Sequence, residues 1–524
     1  MSTKTDYDNR KIGLLRGIGY GLGDFYGGGS GALTGTYLTL FWTTFAGLTM
    51  AQAGAIQGMT LMVSAVTAMI VGAVSDNFYK TKLGEKFGRR RIFLLLGAPL
   101  LLFGILMWIP GLSYNVYLGA FFIWSIMNQV IMIPYSTLPS EMTTDFDKRT
   151  ILLTTRMFMS GFAGAIIPIV GGIMLKVLGD KQASTYTIIG TVFTIIFALM
   201  VFVVYFTTWE RPIEEADLVA LKESRANPQK FSLSRALKQL WQIIVDYAST
   251  LRNRSFQRHM AIYLLGVTSM DVFSAVFMFY VINNLGLSVA YGSFLLSLAI
   301  VWQPFTPLQG WLFTKLGANK MYAMTFGTLI VLLLAYYGIW KSGMTGHTLN
   351  ITLAVVVVLW LFFKGLIYFL PWNIFPFIPD VDEMITRRRR EGSYSAMVLF
   401  LRRLTQGFST IVVFNYLNSV GYKAGETARQ GLAVQTGIAN VMVFWVIGGS
   451  VLALIIALGF KLNKNTHAVL LAEMDRLKAG GSKEDVTPEA RRIVQNLTGI
   501  KYEKLWPAIP RLDTTEKNDK HSQD

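Results

Sequence analysis

The sequence predicts an all-α polytopic membrane protein: twelve transmembrane helices arranged as two six-helix halves. Three observations carry this reading. Hydrophobic residues make up 52% of the 524-residue chain and charged residues only 15%, where a soluble chain averages about 25% charged. Twelve apolar runs are each long enough to cross a hydrocarbon layer about 30 Å thick, which takes about 20 helical residues. The basic residues collect at alternate ends of those runs.

The first six runs cover 17–48, 50–75, 92–111, 116–138, 152–178 and 185–208; the next six cover 259–284, 289–316, 321–340, 348–377, 395–422 and 437–460. The first run reads as a resident span. It is too long and glycine-rich for a removable signal, and it contains Asp24. Lys11 and Arg16 precede span 1, Arg89, Arg90 and Arg91 follow span 2, Arg149 follows span 4, and Arg387 and Arg390 follow span 10. Positive-inside counting therefore expects both termini in the cytoplasm. The formal charge of +17 is mostly this orientation signal, so a nucleic-acid partner is not expected.

The expected division is an N-terminal half over 1–208, a cytoplasmic link over 209–258, a C-terminal half over 259–462 and a cytoplasmic tail over 463–524. The link carries an amphipathic pattern over 232–251, with Leu233, Leu237, Leu240 and Ile244 on one side. That pattern suits a helix lying on the membrane face or a simple tether. In the tail, Leu470, Leu471, Met474 and Leu477 form an apolar stripe, and Thr487-Pro488 reads as an N-cap followed by proline at the first helical position. Span 4 ends in Pro134-Tyr135-x3-Pro139 and span 10 in Pro371-Trp372-x3-Pro376, which suggests an internal duplication. In transporters, paired repeats rock around a site near the midplane.

Ionisable residues within a membrane are costly and are functional suspects. Here they are Asp24, Arg156, Asp271, Lys364, Arg402 and Arg403. Asp24 and Asp271 are candidates for a proton or a substrate hydroxyl, and Asp24 equally for a structural partner of Arg156 or Arg403. Lys364 suits either the cavity or a bridge between helices. Neighbouring Arg402 and Arg403 point about 100° apart, so one of them is expected on the path. Candidate aromatic platforms are Tyr37, Trp124, Tyr135, Trp302 and Trp372. The chain has no cysteine, and its four histidines stand at span ends or in the tail, which argues against a membrane enzyme. Neither a metal site nor a cofactor is expected. The glycines at 27–29 and 31 suit close packing or bending of span 1.

The loop after span 2 reads Gly72-x3-Asp76-x7-Gly84-x3-Gly88-Arg89-Arg90-Arg91. This resembles the cytoplasmic signature of the major facilitator superfamily, a latch in which an acid pairs with arginine or caps a helix end. With Tyr20-Gly21-Leu22-Gly23-Asp24, Arg390-Glu391-Gly392 and the tail over 466–506, nearly the whole chain resembles the glycoside–pentoside–hexuronide:cation symporters, the family of melibiose permease. The resemblance implies the major facilitator fold in a bacterial inner membrane. It also implies uptake of a sugar or sugar acid coupled to H⁺ or Na⁺, by a chain working as a monomer. Arg156 and Arg403 match basic positions of the family. Ser64 and Ala68 stand where melibiose permease has two cation-binding aspartates, and Gly28 and Met132 replace two further acids. Ser64 and Thr67 are left as neutral oxygen donors for coupling. The basic set Arg156, Lys364 and Arg403 suits an anionic substrate such as a uronide. A lipid transporter of the same fold and a non-transporting sugar sensor are the alternatives.

Overall fold

The computed structural model describes residues 10–78, 81–88, 90–143, 145–210, 245, 248–387, 390–424 and 429–507. Among these the regular structure is entirely helical. Helix α1 runs Leu14–Leu33, widens into a π turn at Thr34–Leu38 and resumes over Thr39–Thr44. It is followed by α2 (Met50–Asn77), a short helix Lys82–Phe87, and α3 (Arg91–Leu100), which tightens into a 3₁₀ turn at Leu101–Trp108. Helices α4 (Tyr114–Met142), α5 (Phe146–Leu178) and α6 (Ala183–Thr207) complete the first set.

The second set opens with α7 (Arg254–Phe279), which ends in a π turn at Tyr280–Asn284. Helix α8 starts as Val289–Ser297, tightens at Leu298–Phe305 and enters the helical stretch Thr306–Ser342. Gly317, with φ 74° and ψ 167°, breaks that stretch, and the residues after it form α9. Helix α10 (Gly346–Ile374) leads through a 3₁₀ turn to the short helix Ile378–Thr386. Helix α11 is Glu391–Ser419; α12 is Leu432–Ala439, a π turn at Asn440–Trp445, and Val446–Leu458. Each of the twelve expected runs thus falls on a helix.

Ten helices among the described residues are long and apolar enough to cross a membrane. The exceptions have identifiable causes. Helix α1 is diluted by glycine, and the apolar part of α8 is a short segment, Val289–Trp302, interrupted by its 3₁₀ turn. Helix ends also extend beyond the expected bounds. Helix α5 begins at Phe146 because Asp145 caps it, its carboxylate accepting the Lys148 N–H at 3.0 Å. Helix α4 continues through Pro134 and Pro139 to Met142. Such capping matters because an unsatisfied backbone group in hydrocarbon costs several kcal/mol. The link helix expected over 232–251 lies almost wholly outside the described residues.

Lipid tails are as apolar as the helices, so small residues and close packing hold membrane helices together. Helix α1 lies on α5 through Gly17 and Gly21 against Thr155 and through Gly28 against Ser160; a Cβ at Gly28 would stand 2.6 Å from the Ser160 carbonyl oxygen. Between the halves, α2 crosses α11 where Gly58 meets Gly407, and a Cβ on either glycine would stand 2.5 Å from the other's carbonyl oxygen. At a second crossing between the halves, Gly172 of α5 packs on Ala290 and Ser293 of α8. Both crossings lie toward the end of the bundle away from the termini. Gly72 is different: a Cβ there would meet no described atom within 4 Å.

The tail forms α13 (Lys464–Lys478) and α14 (Pro488–Thr498), with Thr487 capping α14 as its sequence predicts. Leu470, Met474 and Leu477 are buried, while Leu471 faces out. The tail docks on the second half. His467 Nε2 stands 2.8 Å from Asp380, Lys478 pairs with Glu383 at 2.8 Å, the Trp506 N–H donates to the Met384 carbonyl at 3.0 Å, and Arg387 lies over the Trp506 ring. Within the tail, Glu473 accepts hydrogen bonds from Arg476 and the Tyr502 hydroxyl.

Two predictions follow from this packing. The native chain has no cysteine, so labels on an introduced Ala51→Cys/Asn418→Cys pair report the α2–α11 separation cleanly. Adding Gly407→Val is expected to lengthen that separation, and an unchanged distance would contradict the crossing. Burial acts to raise the Glu473 carboxyl, but the Arg476 and Tyr502 hydrogen bonds outweigh it and hold the carboxyl below the ordinary range. Its contribution to the fold of the tail is therefore complete above about pH 4.5 and is lost as the pH falls through the lowered value. Proteolysis of the tail should rise on acidification in the wild type, and Glu473→Gln should show the raised cleavage already at neutral pH.

Candidate functional site: a polar chamber between the halves

A cavity of about 520 Å³ lies between the two sets of helices, within the range that holds a small polar ligand. Its first-half wall is built from α1, α2, α4 and α5. The π turn of α1 places Thr34, Gly35 and Thr36 together on the lining, and Gly31 and Gly35 leave space where side chains would stand. Gln57 donates to Thr39 Oγ1 at 2.6 Å, and Asn128 donates to the Tyr26 hydroxyl at 3.0 Å, which fixes both amides. Trp124 faces the chamber with its ring stacked on Phe121, centroids 5.6 Å apart. Gln129 completes this neutral, hydrogen-bonding wall.

The second-half wall is charged. Asp271 and Ser274 of α7, Lys364 of α10, and Arg403, Gln406 and Thr410 of α11 line it. Asp271 meets the Arg402 guanidinium at two points: Arg402 Nη2 donates to Oδ1 at 2.8 Å and Nη1 stands 2.7 Å from Oδ2. Lys364 Nζ donates to Ser274 Oγ at 2.9 Å. Of the adjacent arginines, Arg403 lines the chamber while Arg402 turns to the acid. The wall thus sets one carboxylate among three cations.

Asp24, Tyr135 and Arg156 come together elsewhere. In a cluster outside the chamber lining, Arg156 Nε donates to Asp24 Oδ2 and the guanidinium lies 5.3 Å from the Tyr135 ring centroid. The Tyr135 hydroxyl stands 3.3 Å from Asp24, and its ring stacks on Tyr20 at 4.6 Å. The two carboxylate–arginine pairs occupy matching places in the two halves. In each, an acid on the first helix meets an arginine on the fifth: α1 with α5, and α7 with α11.

The other candidates scatter. The buried Tyr37 hydroxyl sits 3.2 Å from the Pro168 carbonyl and 3.0 Å from Ser293 Oγ, joining α1 to α8. Trp302 donates to the Val358 carbonyl at 2.6 Å and packs on Phe362. Trp372 is 44% exposed, against a fully buried Tyr135 at the matching proline motif. Ser64 and Thr67 donate to carbonyls of their own helix, Leu61 at 2.7 Å and Val63 at 3.1 Å.

In the span 2–3 loop, the side chains of Asp76 and Arg89 lie outside the described residues. Gly84 donates its N–H to the Thr81 hydroxyl at 3.0 Å, and Gly88 adopts φ 94°. The backbone N–H groups of Arg90 and Arg91 donate to Glu210 Oε1 at 2.8 and 2.5 Å, and Arg90 Nε stands 3.4 Å from Glu141. A search for charges inside spans overlooks Glu141 and Glu210, which stand at span ends, and Gln57, Asn128, Gln129 and Gln406, which are neutral. The available signal was amide side chains recurring inside apolar runs.

The helix order and the chamber between two six-helix sets define a multi-pass membrane transporter of the major facilitator superfamily. A family model described as MFS/sugar transport protein matches residues 19–464, and the chain belongs to that family. It is a family of transporters and not of enzymes, and the resemblance to glycoside–pentoside–hexuronide:cation symporters is borne out. The chain is 24% identical to the isoprimeverose transporter of Lactiplantibacillus pentosus, covering 88% of this chain and 91% of that protein. It is 21% identical to the glucuronide carrier protein homolog of Escherichia coli K12, covering 90% and 97%. In fold it matches an inward-facing bacterial homolog of the human lysosomal transporter Spinster, with TM-score 0.57 and 13% identity over 89% of this chain and 97% of that one.

The Asp24–Arg156 pair makes a test of its own. Removing one partner of a fully buried pair costs about 3–5 kcal/mol, and less is expected here because the Arg156 side chain is 27% exposed. Arg156→Met should lower the thermal midpoint more than the double variant Arg156→Met/Asp24→Leu does. Equal or larger loss in the double variant would show that the two charges are not mutually compensating.

Proposed function

We propose that this protein imports a sugar or sugar acid by cation-coupled symport, the two halves rocking to expose the chamber to each side in turn. The observation that carries the reading is the two-sided lining. Trp124, Gln57, Asn128 and Gln129 offer a stacking face and amide hydrogen bonds, which suit a sugar ring and its hydroxyls. Opposite them, Lys364 and Arg403 offer cations that suit a carboxylate. The names of relatives, an isoprimeverose transporter and a glucuronide carrier homolog, agree with both halves of this reading. A polar lining favours sugar over lipid.

The coupling ion is H⁺. The hydroxyls of Ser64 and Thr67 are engaged with their own helix, and positions 64 and 68 are serine and alanine, so a sodium site built like that of melibiose permease would lack its charged ligands here. The protein works as a monomer in a bacterial inner membrane with both termini in the cytoplasm. The basic residues at alternate helix ends support that orientation.

The test is uptake into proteoliposomes of a panel of neutral glycosides, uronides and oligosaccharides, under a proton gradient and under a sodium gradient. Proton-driven accumulation of a sugar is expected. Trp124→Ala should raise the KM for that sugar at least fivefold, and Arg403→Gln should lower uptake of uronides more than of neutral glycosides. Binding without accumulation in any gradient would point to a sensor, and uptake of lysolipid in place of sugars would overturn the reading.

A further inference from the structure

The two carboxylate–arginine pairs are alike in construction and unlike in access. Asp24–Arg156 is walled by the Tyr20 and Tyr135 rings and does not line the chamber. Asp271 lines it directly, beside Lys364 and Arg403. We propose that the Asp271–Arg402 pair is an exchange site: a proton on Asp271 frees Arg402, and the carboxylate of an anionic sugar takes the vacated place. The inference rests on the sugar-transport reading and extends it by naming the substrate charge and the proton-carrying residue. It places coupling in the second half, away from the span 2 positions that couple in the family's sodium-dependent members.

The physical argument is a charge balance in a low-dielectric place. Among the described residues, the ionisable groups that act on Asp271 belong to three helices. Tyr263 is on its own helix, Lys364 and Tyr368 are on α10, and Arg402 and Arg403 are on α11. Helix α12, which packs along α7, contains no Asp, Glu, Lys, Arg or His over Leu432–Leu458. The π turn of α1, which also meets α7, carries Tyr37, whose hydroxyl is engaged with Pro168 and Ser293 instead. One carboxylate therefore serves three cations. With Asp271 ionised, Arg402 has an anion against its guanidinium: Nη2 donates to Oδ1, and Nη1 stands within ion-pair distance of Oδ2 without a hydrogen bond of its own. An incoming carboxylate then has to compete with a covalently tethered one. With Asp271 protonated, a partly buried guanidinium is left without an anion, which is strongly unfavourable. The same fork geometry that held Asp271 accepts a substrate carboxylate. Proton and anion therefore bind together or not at all, which is the linkage that symport requires.

The bookkeeping closes. The proton arrives from the outer solution, rides on Asp271 while the substrate carboxylate occupies Arg402, and leaves on the inner side with the substrate, whereupon Asp271 re-forms its ion pair. One proton accompanies one singly charged anion, so the step moves no net charge. Empty carrier returns with the pair closed.

Methyl β-glucuronide and methyl β-glucoside are the probes, with purified protein for binding and proteoliposomes for transport. In the wild type, glucuronide affinity is expected to fall about tenfold per pH unit once Asp271 is ionised, as one linked proton requires. Its uptake should follow the pH gradient and ignore a potassium-valinomycin potential. Asp271→Asn should bind glucuronide more tightly at neutral pH, lose the pH dependence of binding and abolish gradient-driven accumulation. Asp271→Glu should restore the pH slope, which shows that the loss in the asparagine variant is not misfolding. A pH-independent wild-type affinity, a potential-driven uptake, or an Asp271→Asn variant that still accumulates glucuronide would overturn the exchange. Equal proton-coupled uptake of glucoside and glucuronide would overturn it while leaving sugar symport standing. Uptake of neither probe would remove the exchange, and only the broader panel would then decide sugar transport itself.

Discussion

A charge within the membrane must find a partner, and much of this protein is arranged around that constraint. Water cannot screen a carboxylate among helices, so each acid in the core is met by an arginine from a helix four places on. Asp24 ties α1 to α5, and Asp271 ties α7 to α11. These ties cross the same helices in both halves. They hold the first and fifth helices of each set together while the chamber opens beside them. What remains after pairing is Lys364 and Arg403, and the chamber takes its positive character from that remainder.

The halves share a plan and divide the labour. The first supplies neutral amides and an aromatic face; the second supplies charge. The proline motifs show the same divergence. Tyr135 is buried against Tyr20 and the Asp24 pair, whereas Trp372 at the matching position is partly exposed and packed on Tyr263 and Phe375. Glycine does the work that charge cannot. The Gly58–Gly407 contact lets backbones of opposite halves approach within a methyl group's reach. The side chains packed on it, Ile411 and Met62, are apolar, so the contact itself holds no ion pair.

How much of this was legible follows the physics of each signal. The spans were readable because length and hydropathy are local properties, and even the glycine-diluted α1 and the interrupted α8 fell where the apolar runs placed them. Thr487-Pro488 was readable as a helix start because a cap acts within one turn. The charged suspects were readable one at a time, since any charge in a span is costly. Their partners were not. Asp24 and Arg156 are 132 residues apart in the chain, and Asp271 and Arg402 are 131 apart. The neutral amides Gln57, Asn128 and Gln129 cost less to bury than a charge, so their recurrence inside apolar runs is a weaker signal than their position on the lining.

The sequence by itself determined that the chain crosses a membrane many times, which family it resembles, and which few charges the membrane must tolerate. Composition, periodicity and local motifs suffice for that, because each is decided within a span or a loop. Only the tertiary structure decided that Arg402 and not Arg403 takes the acid, that Asp271 faces the chamber while Asp24 does not, and that Tyr37 joins two helices away from the lining. Those outcomes depend on which face of each helix meets which neighbour. A rotation of about 100° per residue sends adjacent side chains to different environments, and helix packing alone fixes that rotation.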